Sequence, residues 1–262
     1  NPDKLQAFSE KFNIAQTYQD YRAMIEKISP DAVFAIGHPH SMYDVWMWCL
    51  QERLNLFIEK PMGLTLHQAR ALAYAAQAND CVTQVCFQRR ANPMLRLLLD
   101  ECKARGSISS ASVEFLKNVP TPFLGARDHM LDDGIHAIDT LRAICGGDVV
   151  AIHSVTKRIG TPDINFISAI LEFDTGATGQ MHCNWTSGLR QFRVGIHAPS
   201  ICAEVNLEGK GYLYKDGDEK GMEFDSRHIA GSSEDFVLRG FHAKIIDFFS
   251  GVQFGQQPES NF

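Results

Sequence analysis

The stretch Leu54-Asn55-Leu56-Phe57-Ile58-Glu59-Lys60-Pro61 restricts what this chain can fold into more than any other. Leu54, Leu56, Phe57 and Ile58 make an apolar run of strand length, and apolarity with little alternation suits a strand buried on both faces of a parallel sheet. Glu59 and Lys60 then bring charge abruptly. Pro61 lacks a backbone N–H and biases its predecessor away from helix, so the strand stops there. A carboxylate and an ammonium are left at the carboxyl end of a buried strand, the edge where open α/β sheets bind ligands. The same two residues also read as an ordinary strand-end ion pair, because paired charges mark sites only statistically.

Around this strand the elements alternate at short intervals. Asn1-Pro2-Asp3 reads as a helix start capped by Asn1, with Leu5, Phe8 and Phe12 on one face. A second helix carries Tyr21, Met24, Ile25 and Ile28 and ends at Ser29-Pro30. Ala32 to Ile36 is a strand, Gly37 to His40 a loop, and Ser41 caps a helix running to Arg53. After the Leu54 strand, Thr65 and Gln68 have capping-box spacing and open a helix to Asn79. Cys81 to Phe87 is the last strand of the series. Strand and helix in alternation predict a doubly wound parallel sheet, a Rossmann-like half. Such a sheet normally opens on a strand and its Gly-rich turn, and the chain contains no Gly-x-Gly-x-x-Gly.

Beyond Gln88 the pattern changes. A helix from Asn92 to Arg105, broken by Gly106, crosses between domains. Ile108 to Lys117 alternates apolar and polar residues, Leu131 to Cys145 is helical, and strand-like runs follow over 149–158, 164–173, 177–187, 192–197, 203–207, 212–214 and 221–224. A final helix spans Ser233 to Phe249. The expected fold is therefore α/β. A Rossmann-like parallel sheet, incomplete at its start (residues 1–88), precedes an α+β domain with a large, mostly antiparallel sheet open on one face (residues 89–262).

Length and composition narrow the function. At 262 residues the chain exceeds the usual single-domain size. A net charge of -6 with no basic run gives no footprint for nucleic acid or anionic membrane. No apolar stretch is long enough to span a bilayer. The seven cysteines are scattered and never spaced Cys-x-x-Cys, which suits buried thiols in a reducing cytoplasm and argues against a zinc site or a disulfide framework.

In the helix over 131–145, Asp132, His136 and Asp139 fall at i, i+4 and i+7, on one face, where an imidazole and a carboxylate can act on one substrate. A solvated polar face with an incidental histidine has the same pattern. A metal site needs more ligands than these, so none is expected. Trp185 fits a sheet core or a pocket wall, and Arg127, Asp128 and His129 stand just ahead of the helix.

Taken in order, Ile58-Glu59-Lys60-Pro61, Gln88-Arg89-Arg90 and Leu131-Asp132-x-Gly134-x-His136-x-x-Asp139-x-Leu141-Arg142 resemble the glucose-fructose oxidoreductase, inositol dehydrogenase and rhizopine-catabolism (Gfo/Idh/MocA) family over almost the whole chain. The resemblance implies a dinucleotide domain followed by a domain whose open sheet mediates homo-oligomers. It implies hydride transfer between a sugar or polyol carbon and NAD or NADP, with Lys60, His136 and Asp132 as catalytic groups. His38, Pro39, Glu59, Lys60 and Gln88 would touch the cofactor. Histidine suits the proton transfer without much tuning, and an ammonium beside the reacting oxygen stabilises developing charge. Asp132 either orients the imidazole or binds a neighbouring hydroxyl. The chain departs from the family in starting one βα unit late and in reading His38-Pro39 and then Tyr43 after Ile36. Rival readings are a non-catalytic binding protein on the same scaffold and a metal-dependent sugar isomerase.

Overall fold

Leu56, Phe57 and Ile58 lie in the middle strand of a three-stranded parallel sheet, and their side chains explain why that strand is apolar throughout. In the computed structural model, which describes residues 2–119 and 129–262, Leu56 and Ile58 pack with Trp46, Leu50 and Leu72 on one face, and Phe57 packs against Phe248 on the other. Burying each of these side chains contributes roughly 2 kcal/mol. The sheet runs β1 (Ala32–Ala35), β2 (Asn55–Ile58), β3 (Thr83–Val85), all parallel. Helices α1 (Pro2–Phe12) and α2 (Tyr21–Ile28) precede it, and α3 (Pro39–Gln51) and α4 (Leu66–Ala78) connect its strands. Asp20 caps α2 by accepting from the N–H groups of Arg22 and Ala23, and Thr65 caps α4 by accepting from Gln68.

After a 3-10 turn at Gln88–Ala91, α5 (Pro93–Arg105) leads to the second sheet. β4 (Ser110–Asn118) sits inside eight strands, parallel to β7 (Thr178–Asn184) and antiparallel to β8 (Thr186–Ala198). β5 (Val149–Lys157) and β6 (Phe166–Phe173) extend one side, and β9 (Ile201–Asn206), β10 (Lys210–Lys215) and β11 (Met222–Asp225) extend the other. Alternation decides the faces: Ala111, Val113 and Phe115 of β4 are buried in a core with Leu95, Leu98, Leu141 and Ile144 from the helices, while Ser112 and Glu114 line the other face. The helical cover comes from α5 and α6 (Ile135–Cys145), the latter preceded by one π-helical turn at Met130–Gly134. Short helices α7 (Ser226–Ala230) and α8 (Asp235–Leu238) and the longer α9 (Phe241–Phe254) follow β11. α9 returns to the first sheet, where the chain end also binds: Val85 N–H donates to the Ser260 carbonyl (2.9 Å).

Several expectations need correction. The helix expected from Ser41 starts at Pro39 with His38 in the cap position, because proline is favoured in a first turn. The Cys81–Phe87 strand forms a ladder only over Thr83–Val85. Residues 186–198 form one continuous strand, since β8 pairs along both β4 and β9. The single terminal helix is two, parted at Gly240, whose φ of 87° lies in the left-handed region. The expected Asn1 cap and the residues Arg127 and Asp128 lie outside the described residues. No helix among the described residues is long and apolar enough to cross a membrane.

Candidate active site

A cleft of about 190 Å³ opens where the carboxyl edge of the parallel sheet meets α6 and the large sheet. Two short segments after parallel strands line it. Pro61 ends β2 so that Lys60 projects from its tip, across a cis Lys60–Pro61 peptide. Gln88 and Arg89 come from the turn after β3, and Asn92, the cap of α5, holds that turn in place. The Asn92 side chain accepts from Leu95 N–H (2.9 Å) and donates to the carbonyls of Leu207 (3.1 Å) and Leu238 (2.7 Å), tying three segments at the cleft wall.

Lys60 Nζ donates to the carbonyl oxygen (2.5 Å) and to Oδ1 (2.6 Å) of Asp132, which bridges the strand tip of one sheet to the helix lying on the other. An ammonium has three N–H groups, so one remains for a ligand. His136, in the first turn of α6, lines the same cleft and is 5% exposed. Its ring meets Phe87 edge-on at 6.4 Å, and its Nδ1 is buried without a partner among the described residues. Burial, then the positive charges of Arg89, Lys60 and Lys117, hold its pKa well below the ordinary histidine value. His136 is therefore neutral at pH 7, able to accept a proton but only weakly disposed to keep it. Burial first, and the surrounding cations second, lower its pKa, where the sequence suggested a histidine needing little tuning.

Of Asp132, His136 and Asp139, the first two line one cleft and the third faces another pocket. The π-helical turn changes the rotation per residue ahead of His136, and Asp132 is spent on Lys60 rather than on the imidazole. Asp139 points to a different pocket, where it pairs with Arg90 in a buried ion pair. Gln88 lines the cleft, and its Oε1 is buried with no donor among the described residues. Glu59, His38 and Pro39 are not among the lining residues. Burial raises the Glu59 pKa, offset in part by the Cys86 thiol and Lys60. His38 stacks on His40 at 5.0 Å at the start of α3.

Asp133, beside Asp132, is the residue that sequence reasoning passed over. It is 7% exposed and accepts from Lys117 Nζ (2.5 Å) and Trp185 Nε1 (2.8 Å). Trp185 is therefore a core residue that touches the site only through Asp133, and it stacks on His129 at 4.6 Å. Adjacent aspartates look alike in sequence; only the strands carrying Lys117 and Trp185 distinguish them. A neutral imidazole and an ammonium with a free N–H, converging on a small cleft, can exchange a proton with a ligand hydroxyl and stabilise charge on its oxygen.

Two family models match the chain. The model described as an oxidoreductase family with an NAD-binding Rossmann fold matches residues 1–87, and the GFO/IDH/MocA C-terminal domain matches residues 106–200. Among curated proteins, myo-inositol 2-dehydrogenase of Thermotoga maritima is 25% identical over 189 residues, 68% of this chain and 56% of that enzyme. The scyllo-inositol 2-dehydrogenase (NAD(+)) of Bacillus subtilis is 22% identical over 201 residues, again covering 68% and 56%. The chain thus spans little more than half the length of these relatives. Among solved structures, a dehydrogenase (MviM) from Clostridium difficile superposes with a TM-score of 0.88 at 17% identity, covering 100% of this chain and 82% of that one. A levoglucosan dehydrogenase in complex with NADH gives 0.84 at 17%, covering 100% and 81%.

Proposed function

Because this chain belongs to the Gfo/Idh/MocA family of oxidoreductases, we propose that its cleft serves hydride transfer between a nicotinamide cofactor, NAD or NADP, and a CH–OH carbon of a sugar or polyol. The observation that carries this reading is the convergence of Lys60 and neutral His136 on one cleft. In the oxidising direction His136 takes the hydroxyl proton through the ring edge that opens on the cleft, while Lys60 donates its remaining N–H to the same oxygen. Asp132 positions Lys60 and offsets its charge. The nicotinamide end of the cofactor fits the residues present: buried Gln88 Oε1 lacks a donor and matches a carboxamide N–H. When bound, the cofactor supplies the hydride acceptor. Glu59, His38 and Pro39, at the same sheet edge, would line its further reach, although no Gly-x-Gly-x-x-Gly in this chain cradles a diphosphate.

The test is nicotinamide reduction with myo-inositol, D-xylose and a D-glucoside, substrate types named in relatives. Lys60→Met is expected to keep measurable cofactor binding and to lose about 100-fold or more in turnover. Undiminished turnover in that variant would remove Lys60 from the mechanism. A non-catalytic scaffold would instead bind a sugar without reducing either cofactor. The open face bearing Ser112, Glu114 and Ile170 is the proposed homo-oligomer surface, and light scattering on an Ile170→Lys variant tests it. Seven unbridged thiols, six of them buried, support a reducing, cytoplasmic setting.

A further inference from the structure

Among the described residues the charges that line the cleft do not balance. Lys60, Arg89, Lys117, Arg190 and Arg239 line it against Asp132, Asp133 and Glu208. Four of the cations have partners: Lys60 pairs with Asp132 (2.6 Å), Lys117 with Asp133 (2.5 Å), Arg190 with Glu208 (3.7 Å), and Arg239 with Asp235 just outside (3.3 Å). Arg89 is left over. Among the described residues it makes no hydrogen bond and no ion pair, and its Nε is buried without an acceptor.

Two aromatic rings hold the Arg89 guanidinium at the cleft wall. Its guanidinium carbon lies 4.1 Å from the ring centroid of Phe192 and 4.7 Å from that of Phe115. These two phenylalanines face each other across β4 and β8, with rings 5.0 Å apart and edge to face. They hold the planar group by stacking, an arrangement that suits arginine and would not suit lysine. Burial lowers its pKa to about 10, so it keeps its charge at pH 7. A half-buried guanidinium stacked on two rings, with its Nε unpaired among the described residues, is the complement of a planar two-oxygen anion.

We infer that the substrate of this cleft carries a carboxylate that seats on Arg89, making it a sugar acid, a uronate or aldonate, rather than a neutral sugar or polyol. This deepens the hydride-transfer reading of the same cleft and rests on it. The surplus is one unpaired cation, which one carboxylate balances, whereas a phosphate ester brings nearly two negative charges. Seating the anion there has a consequence for His136. Arg89 is the foremost of the charges that weaken that base, so a carboxylate against Arg89 restores part of its proton affinity when substrate is present.

The test uses the full chain and two matched ligand pairs, D-glucuronate with D-glucose and D-gluconate with D-glucitol, with glucose 6-phosphate as a further arm. Affinities are measured by calorimetry and nicotinamide reduction by absorbance in parallel. Each acid is expected to bind about 10-fold or more tightly than its neutral counterpart, the range for a charge-assisted contact. Arg89→Met, which keeps the apolar stack, should bring the acid-to-neutral ratio to within about 3-fold of unity, and Arg89→Lys should leave an intermediate ratio. If Arg89→Met fails to fold by circular dichroism, the wild-type ratio and Arg89→Lys decide. The inference is overturned if neither acid binds, if the neutral partner binds as tightly, if the preference survives Arg89→Met, or if glucose 6-phosphate outcompetes both acids. Acid binding with no nicotinamide reduced would sink the hydride-transfer reading and leave the carboxylate seat standing. Equal reduction with gluconate and glucitol would do the reverse.

Discussion

Replacing Asp133 with alanine would strip the acceptor from two donors at once. Trp185 is 2% exposed, so its indole N–H would be left buried and unpaired, a loss of about 1–3 kcal/mol. Lys117, with 22% of its side chain exposed, would lose its only carboxylate partner among the described residues, although partial access to water tempers that cost. Breaking a buried ion pair from one side costs about 3–5 kcal/mol. Together these place Asp133→Ala at about 3–5 kcal/mol of lost stability. Asp133→Asn keeps the shape and one acceptor, and should lose about half as much. The assay is urea denaturation at pH 7, followed by tryptophan fluorescence and by far-ultraviolet circular dichroism, with coincident transitions required before a free energy is extracted. A loss below about 1 kcal/mol for Asp133→Ala would refute the reasoning, because it would mean that the Lys117–Asp133–Trp185 contacts are solvated in solution.

Other perturbations probe the remaining parts of the site. For His136 the folded pKa lies below the unfolded one, so as pH falls through about 6.5 the unfolded chain binds the proton first and stability drops. Wild type should therefore lose up to about 2 kcal/mol more than His136→Asn between pH 7 and pH 5; parallel stability curves would remove this linkage. Asn92→Ala should cost about 2–4 kcal/mol, through a lost helix cap and two buried carbonyls left without a donor. Asn92→Asp, a good cap but no donor, should be no better, and near-wild-type stability in Asn92→Asp would show that only the cap matters. Gly240→Ala would drive a Cβ into the backbone of Gln88, Ala91 and Asn92 at a positive φ, with no flexible side chain there to yield. A loss of about 2–4 kcal/mol is expected by denaturation, and a melting temperature within a degree of wild type would show that the turn after β3 moves aside.

Much of the architecture was legible because its signals are local. The apolar run before Glu59, the proline after Lys60, the cap at Thr65 and the period-2 pattern in β4 each act over a few residues. The final helix was misread because Phe236, Phe241 and Ile245 keep helical spacing across Gly240, and the left-handed turn there is imposed by close packing against the Gln88 turn. Asp139 was grouped with His136 by spacing alone, whereas its partner Arg90 comes from a turn 49 positions away.

By itself, the order of residues determined the kinds of layers and their sequence along the chain. Those depend on periodicity, capping and proline, which the chain carries within itself. The tertiary structure decided which charges are paired: Lys60 with Asp132, Lys117 with Asp133, and Arg89 with no hydrogen-bonded or ion-paired carboxylate among the described residues. Compensation depends on distances between segments 16 to 72 positions apart and on how far each is shielded from water, and no short stretch of sequence holds either quantity.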